Sequence, residues 1–233
     1  RSSAASDVYK RQVPIKYPTK PEQQKIAAFL TSVDEKLNKL RRKHELLETY
    51  KRGLMQKVFS QEIRFKQDDG SDFPDWKEKK LNEVLEPISR EVNKPSSNYL
   101  AIGVRSHMKG TFQKPNSDPN KIAMDKLYVV ESGDLIVNIT FAWEGAIAIV
   151  KPQDNKGLVS HRFPTYLFKK GLLDNYFQYV ICSTRFKFML DLISPGGAGR
   201  NRVLSKKDFL NINWVFPSIA VSYTHLRAHE TSL

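Results

Sequence analysis

Apolar residues at Ile26, Leu30, Val33, Leu37, Leu40, Leu47, Leu54 and Val58 recur at alternating steps of four and three, with His44 and Lys51 filling the two gaps. A 3.5-residue period held for more than four heptads is the signature of a coiled-coil seam. No proline interrupts it, and Gly53 is the one weak helix former. Thr19, Pro21 and Glu22 suit a helix entry: a hydroxyl cap, proline in the first turn and an early acid against the dipole. The pattern predicts a helix over 22–60, roughly 58 Å long at about 1.5 Å per residue. One apolar stripe on such a rod calls for a second helix beside it, with His44 and Lys51 weakening the pairing while setting its register.

Beyond Ser60 the texture changes. Residues 61–73 are polar, with Asp68-Asp69-Gly70-Ser71 as a loop signal, and read as a linker. Four β-rich runs follow, at 99–104, 133–139, 145–150 and 163–168, separated by Gly, Asn, Asp and Pro clusters. Asp174 to Leu192 predicts one helix, with Tyr176, Phe177, Val180, Ile181, Thr184, Phe188 and Leu192 on its buried stripe. Ser205-Lys-Lys-Asp208 predicts a capping box for a last short turn. The fold class is α+β: a long coiled-coil-type helix followed by a mixed α/β domain over 74–220.

The two ends differ from this interior. Residues 1–12 and 221–233 show neither apolar period nor turn logic, and resemble peptides translated from sequencing-adapter DNA; both are expected to be artefactual tails. Just inside these tails, Val13-Pro-Ile-Lys-Tyr-Pro-Thr19 echoes Ile212-Asn-Trp-Val-Phe-Pro-Ser218, each a short strand stopped by proline. The echo suggests a tandem repeat cut short, with a period near 200 residues.

Composition narrows the functional classes. Thirty-eight Lys and Arg against 25 Asp and Glu give +13. Residues 13–220 alone keep 34 bases against 23 acids, or +11. Such an excess points to a polyanion, nucleic acid first. The lone Cys182 excludes an internal disulfide framework and fits a cytoplasmic chain; it is read as packed within the stripe of the 174–192 helix. No run in the sequence is long and apolar enough to span a membrane.

Motifs for catalytic chemistry are mostly absent from the sequence. There is no Gly-x4-Gly-Lys-Ser/Thr phosphate loop, and Gly196-Gly-Ala-Gly199 lacks the strand a dinucleotide site needs. Asp75 with Glu78 and Lys80 mimics a nuclease signature, yet the carboxylates crowd one segment, read as a charged loop. His107 and His161 have no ligand or triad spacing. The expectation is a non-enzyme without cofactor, metal or catalytic residues.

The basic loops carry more. Arg105-Ser-His107-Met-Lys109-Gly110 follows a predicted strand, Ser160-His161-Arg162 lies between two, and Gly196-Gly-Ala-Gly-Arg200-Asn201-Arg202 is a glycine-rich tip. Arginine and asparagine are the side chains that pair bidentately with guanine and adenine. Lysines 109, 114, 121 and 126 add phosphate attraction. Trp143-Glu144-Gly145 reads as a tight turn with its tryptophan packed inward.

These features together resemble the specificity subunit of type I restriction–modification enzymes. The residues that carry the likeness are Pro21-Glu-Gln-Gln-Lys-Ile-Ala-Ala-Phe-Leu30, Val33-Asp-Glu-Lys36 and Leu46-Leu-Glu-Thr-Tyr-Lys-Arg-Gly-Leu-Met-Gln-Lys-Val-Phe-Ser60, then Pro74-Asp75-Trp76, Gly133-Asp134 and Phe216-Pro217. The resemblance implies the end of a first target-recognition domain over 13–21, a conserved helix over 22–60, and a second target-recognition domain over 74–220. It implies a non-catalytic reader of one half of a bipartite double-stranded DNA target. Its partners would be methyltransferase subunits and, through them, restriction subunits, with the helix pairing to a second conserved helix of the full-length subunit or of another copy. The alternative is a coiled-coil interaction protein whose charge serves only solubility.

Overall fold

A computed structural model describes residues 16–170, 172, 174–196 and 202–217. Both tails, residues 13–15 of the echo, Arg200 and Asn201 lie outside them. The chain divides into two units, Arg1–Leu54 and Met55–Leu233.

The first unit is described as helix: α1 spans Lys20–Phe59, crossing into the second unit at its last turn. The Gln23 side chain donates to the Pro18 carbonyl at 2.7 Å, tying down its entry. No residue of α1 is buried. Ile26, Leu30, Val33, Leu37, Leu40 and Leu47 stand between 38% and 54% exposed, so among the described residues this part of the seam is uncovered, while Leu54 is half-buried. The helix stops where Gln61 turns to φ +60 and Ile63 N–H bonds the Lys57 carbonyl at 3.1 Å.

In the second unit, Phe59 packs edge-on to Trp76 and against Tyr176, with ring centroids 6.3 and 5.9 Å apart. The polar stretch 61–73 folds back on a Gly70 turn and is fastened by Arg64, which bonds the Phe73 carbonyl and the Asp75 carboxylate. The strands are β1 Lys77–Lys80, β2 Leu85–Ile88, β3 Glu91–Asn93, β4 Tyr99–Val104, β5 Thr111–Ser117, β6 Lys126–Val129, β7 Leu135–Val137, β8 Ile147–Ile149, β9 Leu158–Val159, β10 Thr165–Phe168 and β11 Asn213–Phe216. They form an antiparallel pair β1-β11, a four-stranded antiparallel sheet β2-β10-β7-β8 and a five-stranded sheet β3-β6-β9-β4-β5, mixed because β4 and β9 run parallel. The fold is α+β, as the periodicities predict.

Two details depart from the sequence reading. Lys77–Lys80 is a strand, not a charged loop: its four exposed side chains leave the backbone to pair with Asn213–Phe216, which supplies buried Trp214 and Phe216. The single helix expected over 174–192 is two, α3 Asp174–Ile181 and α4 Thr184–Leu192, because the Ser183 hydroxyl accepts the Phe186 N–H and caps a new start. The break resets the phase, so Phe186 and Leu190 are buried while Phe188 and Leu192 are exposed at 62% and 66%. Cys182 falls past the end of α3, exposed, outside the stripe assigned to it. By contrast Ser205 caps α5 Lys206–Leu210 as expected, accepting the Asp208 N–H at 3.2 Å.

The core has two parts. Phe177, Phe186 and Trp214 pack edge to face in series within the larger part, with centroids 5.8 and 5.5 Å apart. Ile102, Val130, Ile136, Ala148 and Val159 join that sheet to the five-stranded one. Between them, Asp134, 1% exposed, receives both guanidinium ends of Arg90 at 2.5 and 3.2 Å. This pair holds the Arg90 charge still more firmly than usual, since the hydrogen bonds to Asp134 outweigh burial. Strand β7 leaves this junction to enter the loop on which the site is built.

Candidate nucleic-acid interface

After β7 the chain makes a tight double turn, Asn138 to Gly145. The Asn138 side chain accepts the Thr140 N–H at 3.1 Å, and the Phe141 carbonyl accepts from both Glu144 and Ala146 at 3.0 and 3.1 Å. A short 3-10 segment Ala142–Glu144 ends on Gly145, which takes φ +81. A side chain there would also be strained by space: a Cβ would lie 2.6 Å from the Met108 sulfur.

Three basic segments are bonded to this turn. The 105–110 loop joins β4 to β5, closed by Arg105 N–H to the Gly110 carbonyl at 2.9 Å. Its middle docks through His107 N–H to the Glu144 carbonyl (2.8 Å), Met108 N–H to the Gly145 carbonyl (2.9 Å) and the Ser106 hydroxyl to Glu144 Oε2 (2.6 Å). His107 and Met108 are held at φ +61 and +54, a left-handed conformation that side chains avoid unless the surroundings fix it. The 160–163 segment docks through Ile139 N–H to the Arg162 carbonyl (3.0 Å) and Arg162 Nη1 to the Thr140 hydroxyl (3.3 Å). Residues 202–204 dock through Leu204 N–H to the Ile139 carbonyl at 2.8 Å.

The candidate residues therefore sort by place. Arg105, His107, Arg162 and Arg202 surround the Asn138–Gly145 turn. The Arg105 guanidinium lies over the Phe112 ring at 5.1 Å, which orders its plane while leaving its edge donors outward. Phe112 itself reaches that position only because Gly103, opposite it on β4, has no side chain: a Cβ would sit 2.4 Å from the ring. Arg202 faces inward. Its Nε and Nη2 donate to the Ser194 and Asp191 carbonyls at 2.9 and 2.7 Å, Nη2 pairs with the Asp191 carboxylate at 2.8 Å, and its guanidinium covers Trp143 at 5.1 Å. Trp143 in turn donates to the Thr140 carbonyl. Lys109 and His161 are turned aside. Lys109 lines a depression of about 450 Å³ with Lys151 and Asp174, and His161 one of about 530 Å³ with Lys206 and Lys207.

Residue types alone did not single out Thr140, Phe141 or Phe112. Their signal was the Asn-x-Thr turn just after a buried strand, and a phenylalanine opposite a strand glycine. Among the described residues no three His, Cys, Asp or Glu side chains gather as a metal site, and no helix is long and apolar enough to cross a membrane. The site offers fixed donors, exposed aromatic surface and positive charge, the means of binding a polyanion and distinguishing its parts.

No protein-family model matches the sequence. Two curated proteins of Methanocaldococcus jannaschii do. The type I restriction enzyme MjaVIII specificity subunit is 28% identical over 206 residues, covering 78% of this chain and 47% of that protein. The putative type I restriction enzyme MjaX specificity subunit is 25% identical over 232 residues, covering 93% and 52%. Among solved structures, the HsdS subunit from Thermoanaerobacter tengcongensis superposes with a TM-score of 0.52 at 17% identity, over 68% of this chain and 42% of that one. A chain from a structure addressing complex assembly and conformational transition of the type I R-M system superposes at 0.50 with 16% identity, over 92% and 52%. The chain spans about half the length of the curated relatives it matches. In sequence the chain is thus similar to specificity subunits of type I restriction enzymes, and it shares the fold of the solved HsdS subunit.

Proposed function

We propose that the chain is a non-catalytic, sequence-specific DNA-binding subunit of a type I restriction–modification system, reading one half of a bipartite duplex target. The observation that carries this reading is the convergence of three basic segments, 105–110, 160–163 and 202–204, on one rigid turn. Arg105 and Arg162 present guanidinium edges to base pairs, joined in this role by Arg200 and Asn201, which precede Arg202 in the sequence. His107 and Lys109 extend the first loop toward the backbone, and His161 does so beside Lys206 and Lys207. Arg202, its donors bound to the chain, positions the base of the tip.

In this reading residues 74–220 are the recognition domain, 61–73 the linker, and 22–60 a spacer helix. The exposed seam of α1 pairs with a second helix of the same kind, from the rest of the subunit or from another copy. The assembly then recruits methyltransferase and restriction subunits in the cytoplasm, and needs no cofactor of its own. The bare seam equally supports a coiled-coil interaction protein, but that alternative leaves the clustered arginines without a task.

Selection from randomised duplexes tests the proposal. Arg105→Ala and Arg200→Ala are expected each to relax the preference at one position, by about 1–3 kcal/mol. Lys121→Ala, on an exposed short turn, is expected to weaken all sequences alike. Equal, sequence-independent weakening by all three would make the loops a phosphate clamp and end the base-reading assignment.

A further inference from the structure

Two side chains of the Asn138–Gly145 turn do not belong to its basic surroundings. Phe141 is 42% exposed, an aromatic ring kept at the surface by a turn whose backbone is bonded on both sides of it. Glu144 is a carboxylate on the turn to which the segments of Arg105, Arg162 and Arg202 are bonded, yet it forms no ion pair among the described residues. The Ser106 hydroxyl occupies Glu144 Oε2 at 2.6 Å, and Oε1 carries no hydrogen bond among them. Both residues line one cleft of about 440 Å³, together with Asn138, Ser160 and Phe163.

A carboxylate facing phosphates is repelled. Its place is opposite a group that donates N–H. In the major groove the bases differ in what they offer beside such a donor. Guanine shows two acceptors, and thymine an acceptor beside its methyl group. Adenine shows a donor flanked by the N7 acceptor, which Glu144 and an aromatic ring would both leave unpaired. Cytosine alone shows an amino donor next to an apolar C5 edge. We infer that Phe141 and Glu144 form a reader for one cytosine, Glu144 Oε1 accepting from the N4 amino group while the Phe141 ring covers the C5 edge.

This inference rests on the DNA-reading proposal and is separable from it. The full 233-residue chain is first used to select its preferred duplex from a random pool. Each cytosine of the winner is then replaced in turn by 2-pyrimidinone, which keeps the ring and lacks the amino group. At one position the parent is expected to lose about fivefold or more in affinity. Glu144→Ala should bind the cytosine and 2-pyrimidinone duplexes equally there. Phe141→Ala, its folded state confirmed by its unfolding transition, should bind both more weakly while still preferring cytosine. A selected site without cytosine, or a 2-pyrimidinone loss as large in Glu144→Ala as in the parent, overturns the inference and leaves DNA reading standing. A parent that selects no sequence overturns both.

Discussion

Gly145 meets two demands at once: φ +81, and no room for a Cβ beside the Met108 sulfur. Alanine there is expected to cost about 1–2 kcal/mol from the left-handed backbone alone, measurable as a lower denaturant midpoint with an unchanged slope. Two phenols make a different point. Tyr166 and Tyr176 are buried with hydroxyls that find no partner among the described residues, and burial raises both above their ordinary value near 10. A raised folded value means the unfolded chain loses these protons first, so stability is full below about pH 10 and falls as the pH climbs past it. Replacing both with Phe is expected to leave neutral-pH stability unchanged or higher and to flatten that alkaline decline, as read from unfolding curves across pH. Neither effect was legible in the sequence. A tyrosine's partner, or lack of one, depends on what packs against its hydroxyl, and that is decided by distant residues.

Elements were readable where their cause is local. The α1 period, the β4 run and the Ser205 cap are each fixed by residues within a few positions. The 174–192 segment was misread for the same reason in reverse. Two apolar stripes abut across Ser183, and a pattern that continues in composition resets in phase once the hydroxyl caps a new turn. The site was legible in its parts and not in its assembly: Arg105, Arg162 and Arg202 stand out as types, but the bond between Ser106 and Glu144 that gathers the loops joins residues 38 apart. The test of the longest element is direct. With Leu37 and Leu47 changed to Asp, self-association or pairing with a second such helix is expected to vanish in sedimentation, while the 74–217 part keeps its unfolding transition. Association unaffected by both charges would mean the seam is not where helices meet.

At the scale of the whole molecule the features converge on a division of labour. One unit carries an apolar stripe that is exposed from Ile26 to Leu47 among the described residues; the other gathers cations and exposed aromatic surface on one turn. Under the proposed function, recognition and assembly fall to separate stretches of chain, so that loops could change what is read without disturbing how the subunit is held. Base reading by the gathered arginines first requires that the positive charge of this unit draw it onto the phosphates of duplex DNA. The most direct measurement of that attraction is affinity for a random duplex as a function of salt. Neutralising about six phosphates predicts a linear fall of log affinity with log salt, about a thousandfold between about 50 and 200 mM. Affinity that is negligible at low salt, or flat across that range, would contradict the account.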